Sequence, residues 1–384
     1  MRILIIDVYN YMSGGVNYFS SFHLYDLLKN NGYVVDILKY PLYENNDDIN
    51  VIDFQTALSK KYDIIFVASV LGFDYVNKYK KQTKLDPKII IIDEENYLNK
   101  IIYKTKFFDF RTKNILKTFI SSLHTDDICL TSDYVEMNNI KTLGIKTDYI
   151  QPYISENYFL KDSIELKYIQ SNPILFLNKL DFDQNSLDIL IKAVKHIKNK
   201  TDFLEKYNLL IDVTAFGKDY EKFVKQVYKN KLGDLFRFVN IMPNDKYSTY
   251  IRNHKFTIVL PKKNNMHNRV ILESMASGVP VLIDSSYNTY SDPYIKSITK
   301  EYMFSNKMTE IIKDTLNGVV FESDNYIDLA EKIMLLSYTD LTDMKKNAYE
   351  TALKFKPFRY DNRMLTIVKH IVDEMDKVEM MSEL

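Results

Sequence analysis

The chain has 384 residues, 46% of them hydrophobic and 27% charged, with 51 Lys plus Arg balanced by 51 Asp plus Glu. That length exceeds one ordinary core and predicts two domains. Zero net charge excludes a chain-wide field that would steer it to nucleic acid or membrane, leaving only a local patch for such work, and the single cysteine, Cys129, excludes an intrachain disulfide.

One cysteine in a chain of this length points to a reducing compartment. Met1 runs directly into RILIIDV (2–8), without the basic, apolar and small-residue segments of a secretory leader. The longest apolar run, IIFVASVLGF at 64–73, is about half of the roughly 20 residues that span a bilayer, and reads as a buried strand. A soluble, cytoplasmic protein is expected. The scarcity of Gly and the absence of Trp, beside abundant Ile, Lys, Asn and Tyr, read as the imprint of an AT-rich genome.

In chain order, RILIIDV is followed by a polar loop and the helix-like VNYFSSFHLYDLLKNNG, then VVDILKY (34–40), DIIFVASV (63–70), KIIIID (88–93), DICLTS (127–132) and TDYIQP (147–152). Each run has the length and β-branched content of a strand covered on both faces. The amphipathic stretches between them predict βαβ units. The pattern then restarts. NPILFLNKL (172–180), YNLLIDVTAFG (207–217), LFRFVN (235–240), KFTIVLP (255–261), VPVLIDS (279–285) and GVVFES (318–323) are the second set of strands, again with helices between. IDLAEKIMLLS and NRMLTIVKHIVDEMDKV close the chain as amphipathic helices.

The expected fold is α/β, with two Rossmann-like doubly wound domains facing across a cleft. Boundaries are placed at 1–160 and 161–355, with a C-terminal helix over 356–384 that returns to the first lobe. Sites in such sheets lie beyond the carboxyl ends of the strands, and domain closure over a cleft excludes water from a group transfer.

Two segments carry chemistry. Ser13-Gly14-Gly15-Val16-Asn17 lies between the first strand and its helix. Paired glycines admit a close ligand, and the helix start favours an anion. A plain strand-to-helix turn fits the same residues equally. The second is KKNNMHNRVILESMASGVP, Lys262 to Pro280. It reads as a polar loop and then a helix that stops at Gly278 before Pro280. The helix start aims N–H groups at a ligand beside Lys262, Lys263 and Arg269, and Glu273 offers its carboxylate to ribose hydroxyls. Taken alone, Arg269 and Glu273 also fit an i,i+4 pair on a solvated face, worth about 0.3–0.5 kcal/mol.

In combination these segments resemble the retaining GT-B glycosyltransferases, the large family that includes sucrose synthases, bacterial polysaccharide transferases and relatives of phage DNA glucosyltransferases. SGGVNYFSSFHLYDLLKNNGYVVDILKY resembles the family's Gly-Gly loop, first helix and second strand. DDICLTSDY, YIQPYISENYF, LLIDVTAFGKDYEKFVKQV, ILESMASGVPVLIDS and NGVVFESDNYIDLAEKI resemble five further family segments in the right order. The resemblance implies transfer of a sugar from a UDP- or GDP-sugar to an acceptor hydroxyl, with retention and no obligatory metal. It also implies electrostatic stabilisation of the leaving diphosphate, with Lys179, Arg269 and Glu273 as the catalytic group. Donor contacts are expected from Gly14, Gly15, Val16, Lys179, Gln184, Gly217, Lys262, Asn265, His267, Asn268, Arg269, Val270 and Glu273.

The chain departs from the family at three places. The Arg and Lys that usually grip the diphosphate read Lys179 and Gln184, and Lys lacks the planar fork of Arg. The first glutamate of the E-x7-E pair reads Asn265. The family's His after the fourth strand has no counterpart in IIIIDEENYLNK.

On the acceptor side Asn17, Glu94, Glu95, Asn96 and Tyr97 are expected to line the first lobe, with Lys104, Lys106 and Arg111 from KIIYKTKFFDFRTKNILKT (100–118). That basic-aromatic stretch fits nucleic-acid stacking, an anionic membrane surface, or a helix with basic outer and aromatic inner faces. The acceptor is accordingly a hydroxymethylated pyrimidine of phage DNA or a cell-surface glycan or lipid-linked precursor. A nucleotide-sugar 2-epimerase and a nucleotide-sugar-binding module without turnover are the competing classes. Asp181-Phe182-Asp183 reads as a solvated turn, and no metal site is expected.

Overall fold

The computed structural model describes residues 1–7, 18–38, 50–68, 72–93, 119–121, 123–124, 127–132, 134–160, 173–177, 180–183, 185–240, 244–260, 268–285 and 311–382, with main chain alone at 18–20, 134–136, 139, 244–245, 268 and 378–382. The chain divides into two compact units. The first is Met1–Pro152 with Phe358–Leu384, and the second is Tyr153–Pro357.

In the first unit β1 (Arg2–Ile6), β2 (Val34–Leu38), β3 (Val51–Ile52), β4 (Ile64–Val67), β5 (Lys88–Asp93), β6 (Ile128–Thr131) and β7 (Lys146–Tyr149) form one sheet in the order β3-β2-β1-β4-β5-β6-β7. Every pairing is parallel. Ile3 to Ile6, Ile64 to Val67 and Ile89 to Ile92 are buried without alternation. That is the pattern of strands covered on both faces, and it is why these runs are uniformly apolar. The two-residue β3 carries too little sequence to announce itself. Helices α1 (Tyr18–Asn30), α2 (Phe54–Leu58), α3 (Phe73–Thr83) and α4 (Tyr134–Thr142) connect the strands.

The second unit holds β8 (Ile174–Phe176), β9 (Ile211–Thr214), β10 (Phe236–Val239), β11 (Thr257–Val259), β12 (Val281–Asp284) and β13 (Gly318–Phe321) in the order β10-β9-β8-β11-β12-β13, again parallel throughout. Its helices are α5 (Leu187–Lys198), α6 (Thr201–Tyr207), α7 (Tyr220–Lys229), α8 (Asn244–Arg252), α9 (Asn268–Ala276), α10 (Tyr326–Tyr338) and α11 (Thr342–Ala352). Ile174, Phe176, Ile211, Val213 and Ile258 face a core shared with α5, α7 and α10. Leu175, Val259, Val281 and Ile283 face the opposite core with α9 and α11. The period of two thus feeds two cores from one sheet. In α5 the apolar residues Leu187, Leu190, Ile191, Val194 and Ile197 are buried, the stripe of an amphipathic helix packed on a sheet.

After Pro357 the chain enters α12 (Pro357–Ser382) and belongs to the first unit again. Asp361 of α12 meets His23 of α1 at 2.6 Å, and Arg363 pairs with Asp148 of β7. Among the described residues no helix is long and apolar enough to cross a membrane.

Candidate functional site

Strand order locates the place where each unit can bind a ligand. In the second sheet β8 lies between β9 and β11. The chain winds outward through β9 and β10, then returns to the middle to start β11. A crevice opens beyond the carboxyl ends of two such divergent strands. In the sequence Lys179 and Gln184 follow β8, while Lys262, Asn265 and His267 follow β11, so both segments singled out from sequence adjoin the switch point. In the first sheet β1 and β4 are the divergent pair, and Gly14, Gly15, Val16 and Asn17 follow β1. These nine residues, and Glu94, Glu95, Asn96, Tyr97, Lys104, Lys106 and Arg111, lie outside the described residues.

The turn after β8 is tied to the turn after β9. Leu180 N–H donates to the Phe216 carbonyl at 2.7 Å, and Asp219 N–H donates to the Leu180 carbonyl at 2.9 Å. Phe182 N–H donates to Asp219 Oδ2 at 2.9 Å. Gly217 is the closest point of this contact. Its φ is +132°, and a Cβ there would stand 2.5 Å from the Leu180 carbonyl oxygen. Gly217 therefore has a packing reason, because only glycine lets the two backbones approach. Asp181 corrects the expectation of a solvated turn. It is buried, accepts from Asp183 N–H at 2.9 Å, and lies 3.3 Å from Lys218 Nζ. An acid followed by its own N–H two residues on is an Asx-type turn, and here the turn closes against the unit. Asp183 is the solvated member, with Lys218 Nζ at 2.5 Å. Among the described residues no group of three or more His, Cys, Asp or Glu is placed to hold a metal ion.

The α9 helix starts and stops as the sequence predicts. It spans Asn268–Ala276, and Gly278 adopts φ +72°, the left-handed cap that ends a helix at low steric cost. Ser274 fixes the following turn. Its hydroxyl donates to the Val279 carbonyl at 2.8 Å and contacts the Thr257 hydroxyl at 2.6 Å. One turn earlier, Arg269 Nε donates to Glu273 Oε1 at 2.9 Å. The pair forms, but not on a solvated face. Glu273 is 4% exposed, and Val270 packs against the core beneath it.

Burial dominates the electrostatics of Glu273 and pushes its carboxyl above the usual carboxylate range. The Arg269 cation and its hydrogen bond, with a further hydrogen bond from the Tyr158 hydroxyl, pull the other way. Burial and the Glu273 charge in turn push the phenols of Tyr158 and Tyr247 upward. Neither tyrosine was expected from sequence. Tyr158 arrives on a 3-10 turn, Glu156–Tyr158, and Tyr247 on α8, distant in the chain from Glu273. A carboxylate has about four lone-pair sites. The bond from Arg269 leaves room for both hydroxyls of a vicinal diol, and Arg269 supplies positive charge at the amino end of a helix that itself favours anions.

A second buried acid lies on the same unit. Asp212 of β9 is fully buried and receives Arg237 Nε at 2.7 Å and Nη2 at 2.5 Å, the Tyr250 hydroxyl and His254 Nε2 at 3.0 Å. Burial raises its carboxyl, but the hydrogen bonds from His254, Arg237 and Tyr250 outweigh that and hold it at about 2. His254 Nδ1 faces the Tyr250 carbonyl at 2.8 Å.

No family model matches the chain. An uncharacterized glycosyltransferase of Methanocaldococcus jannaschii is 25% identical over 396 aligned positions, covering 96% of this chain and 97% of that protein. Among solved structures, sucrose-phosphate synthase from Thermosynechococcus elongatus superposes with a TM-score of 0.72 at 13% identity, over 97% of this chain and 100% of that one. Anabaena HepE in complex with UDP superposes with a TM-score of 0.68 at 13% identity, over 96% and 100%. The structures share the two-sheet GT-B fold, and the full-length relative shares the class of activity. The chain is a GT-B glycosyltransferase.

Proposed function

We propose that this enzyme takes its sugar from a nucleotide-sugar held by the second unit and passes it to an acceptor hydroxyl, with retention of configuration and no obligatory metal. The observation that carries the reading is Glu273. It is a buried carboxylate with open lone pairs, on the helix that follows the switch-point strand β11, with Arg269 beside it. A ribose diol donates to Glu273, the diphosphate lies toward the start of α9, and Lys179, Lys262 and His267 are the remaining donor-side candidates. The reading draws further support from HepE, whose structures contain UDP, glucose and UDP-glucose.

In the chemistry proposed, the C–O bond between sugar and diphosphate breaks and the acceptor oxygen bonds to the same carbon from the same face. The acceptor proton leaves with the departing phosphate oxygen. The enzyme's share is electrostatic stabilisation of the developing charge on that oxygen, by Lys179 and Arg269. A surface-glycan or lipid-linked acceptor is preferred, because a lipopolysaccharide outer core galactosyltransferase is among the structural neighbours.

The test is release of nucleoside diphosphate from a panel of UDP-, GDP- and ADP-sugars. Each is run without acceptor, with a lipid and glycan extract, and with DNA containing hydroxymethylated pyrimidines. Release that rises only with lipid or glycan is the expected result. A rise only with modified DNA moves the acceptor to nucleic acid. Donor consumption without any acceptor favours epimerisation, and binding without release favours a module that has lost turnover.

A further inference from the structure

Helix α7 packs one face into the second unit and turns the other outward. Phe223 and Val227 are buried on the inner face. Lys222, Lys225 and Lys229 are exposed, and their i, i+3, i+7 spacing sets all three on one stripe of the helix. With a rise of 1.5 Å per residue the stripe runs about 10 Å along the axis. These lysines, with Lys218, Glu221 and Gln226, line a surface groove of about 420 Å³.

The charge of the stripe is not spent within the protein. The stretch 218–231 carries five lysines against two acids, Asp219 and Glu221. Lys218 is held by Asp181 and Asp183, and Asp219 is occupied by the Phe182 N–H. Among the described residues no carboxylate pairs with Lys222, Lys225 or Lys229. Lys222 Nζ instead stands 4.4 Å from the centre of the Phe182 ring, a contact that holds the cation in place without neutralising it. In a chain of zero net charge this run is a local feature, not a share of an overall basic field.

Place adds to charge. The groove begins at the turn after β9, which is tied to the turn after β8 through Leu180, Phe216 and Asp219. Phe182, against which Lys222 rests, belongs to the turn after β8. The stripe therefore starts at the carboxyl edge of the sheet, one strand from the switch point, and leads away along the flank of the unit.

We infer that this groove holds a linear anionic glycan, the part of the acceptor chain that trails from the reacting hydroxyl. The inference deepens the nucleotide-sugar reading above and rests on it. Lysine ammoniums meet carboxylate, sulfate or phosphate as point charges, without the fixed fork of arginine, so a row of them accepts a repeating chain in more than one register. Glu221 and Gln226 add acceptors for sugar hydroxyls, which a site for bare charge does not need. None of the six lining residues is aromatic, whereas surfaces that hold single-stranded nucleic acid stack its bases on aromatic rings. A groove receives a chain, while a bilayer meets a flat or convex face.

The test uses the full chain as wild type and as the triple variant Lys222→Gln, Lys225→Gln, Lys229→Gln, all at exposed positions. Binding is titrated at low and high salt with oligogalacturonate, its methyl ester, and chondroitin sulfate oligosaccharides. Single-stranded DNA and vesicles of phosphatidylcholine with phosphatidylglycerol are run beside them, and UDP and GDP are titrated on the same samples. Both anionic glycans are expected to bind wild type, to weaken with salt, and to weaken on the order of tenfold in the triple variant. The uncharged ester should not bind, and nucleotide affinity should be unchanged. In the nucleoside diphosphate release assay the triple variant should need more glycan extract for half-maximal release and reach the same maximum, the mark of lost uniform binding.

Anionic glycans that bind both proteins alike, or neither, overturn the inference, and the nucleotide-sugar reading stands if UDP or GDP still binds. A loss confined to DNA or to the anionic vesicles gives the stripe to that partner and overturns the glycan. Glycan binding lost in the triple variant of a chain that takes up neither nucleotide leaves the groove standing and sinks the nucleotide-sugar reading. An unchanged extract requirement overturns the groove's part in acceptor binding.

Discussion

Asp212 and Glu273 are carboxylates buried in the same unit, and their surroundings drive them in opposite directions. Asp212 is surrounded by donors: the Arg237 fork, the Tyr250 hydroxyl and the His254 ring converge on its two oxygens. Burial is overcome and the acid stays ionised down to about 2. Glu273 has Arg269 and Tyr158, and there burial wins. A buried acid whose lone pairs are all met by its own protein is a structural hub. One with lone pairs left over is unfinished until something else arrives. Position agrees with the count. Asp212 sits mid-strand in β9 opposite Arg237 of β10, whereas Glu273 follows the switch-point strand β11 on the helix that starts beyond it.

The largest effect expected from breaking this contrast is at Asp212. Asp212→Asn leaves the buried His254 ring donating to an amide, and removes the anion that Arg237 clamps. Removing one member of a buried charge cluster costs about 3–5 kcal/mol. Urea unfolding should show that loss, while the surviving folded fraction keeps its nucleotide affinity. A Glu273-like pattern at Asp212, with affinity lost and stability kept, would reverse the two roles.

A smaller loss, about 1–3 kcal/mol, is expected for Gly217→Ala. The added methyl meets the Leu180 backbone and the residue holds φ +132°, so the turns after β8 and β9 must part. Here affinity and stability should fall together, because the turn that moves adjoins Lys179 and Gln184 in the sequence. Unfolding and UDP titration on one sample would check it. Stability lost at unchanged affinity would make Gly217 purely structural.

The fold was legible because doubly wound sheets write themselves in period. Uniformly apolar runs such as IIFV and KIIIID, separated by amphipathic helices, fit few architectures besides a parallel sheet covered on both faces. The α9 helix was legible end to end, since Gly278 and Pro280 are local stop signals. What stayed hidden depends on contacts across the chain. Tyr158 and Glu273 are 115 positions apart, and nothing local in YIQPYISENYF, which resembles a family segment, announces that its Tyr158 shares a core with α9. Asp181 reads as solvated because a D-x-D triplet is polar. Nothing local announces that Gly217 and Asp219, more than thirty residues on, will close over it. Arg269 and Glu273 show the limit most plainly: their spacing predicts the pair, and only the packing of α9 decides whether it faces water or the core.

The smallest effect tests the contrast by its sign. Asp212 has a folded value of about 2 against an ordinary one of about 3.9. Its stabilisation is therefore present above about pH 4 and lost as pH falls toward about 2. Glu273 has a raised folded value, so its contribution grows as pH falls from neutrality toward the ordinary glutamate value of about 4.3. Asp127, also raised by burial, adds to the second trend, so the comparison must be made by difference. Wild-type stability minus that of Glu273→Gln should rise on acidification from neutral to about pH 4, and wild type minus Asp212→Asn should fall below it. Two buried acids in one unit would then report opposite slopes, separating the carboxylate whose oxygens are fully met by donors from the one with lone pairs left over. Parallel slopes would mean that donor count does not distinguish them.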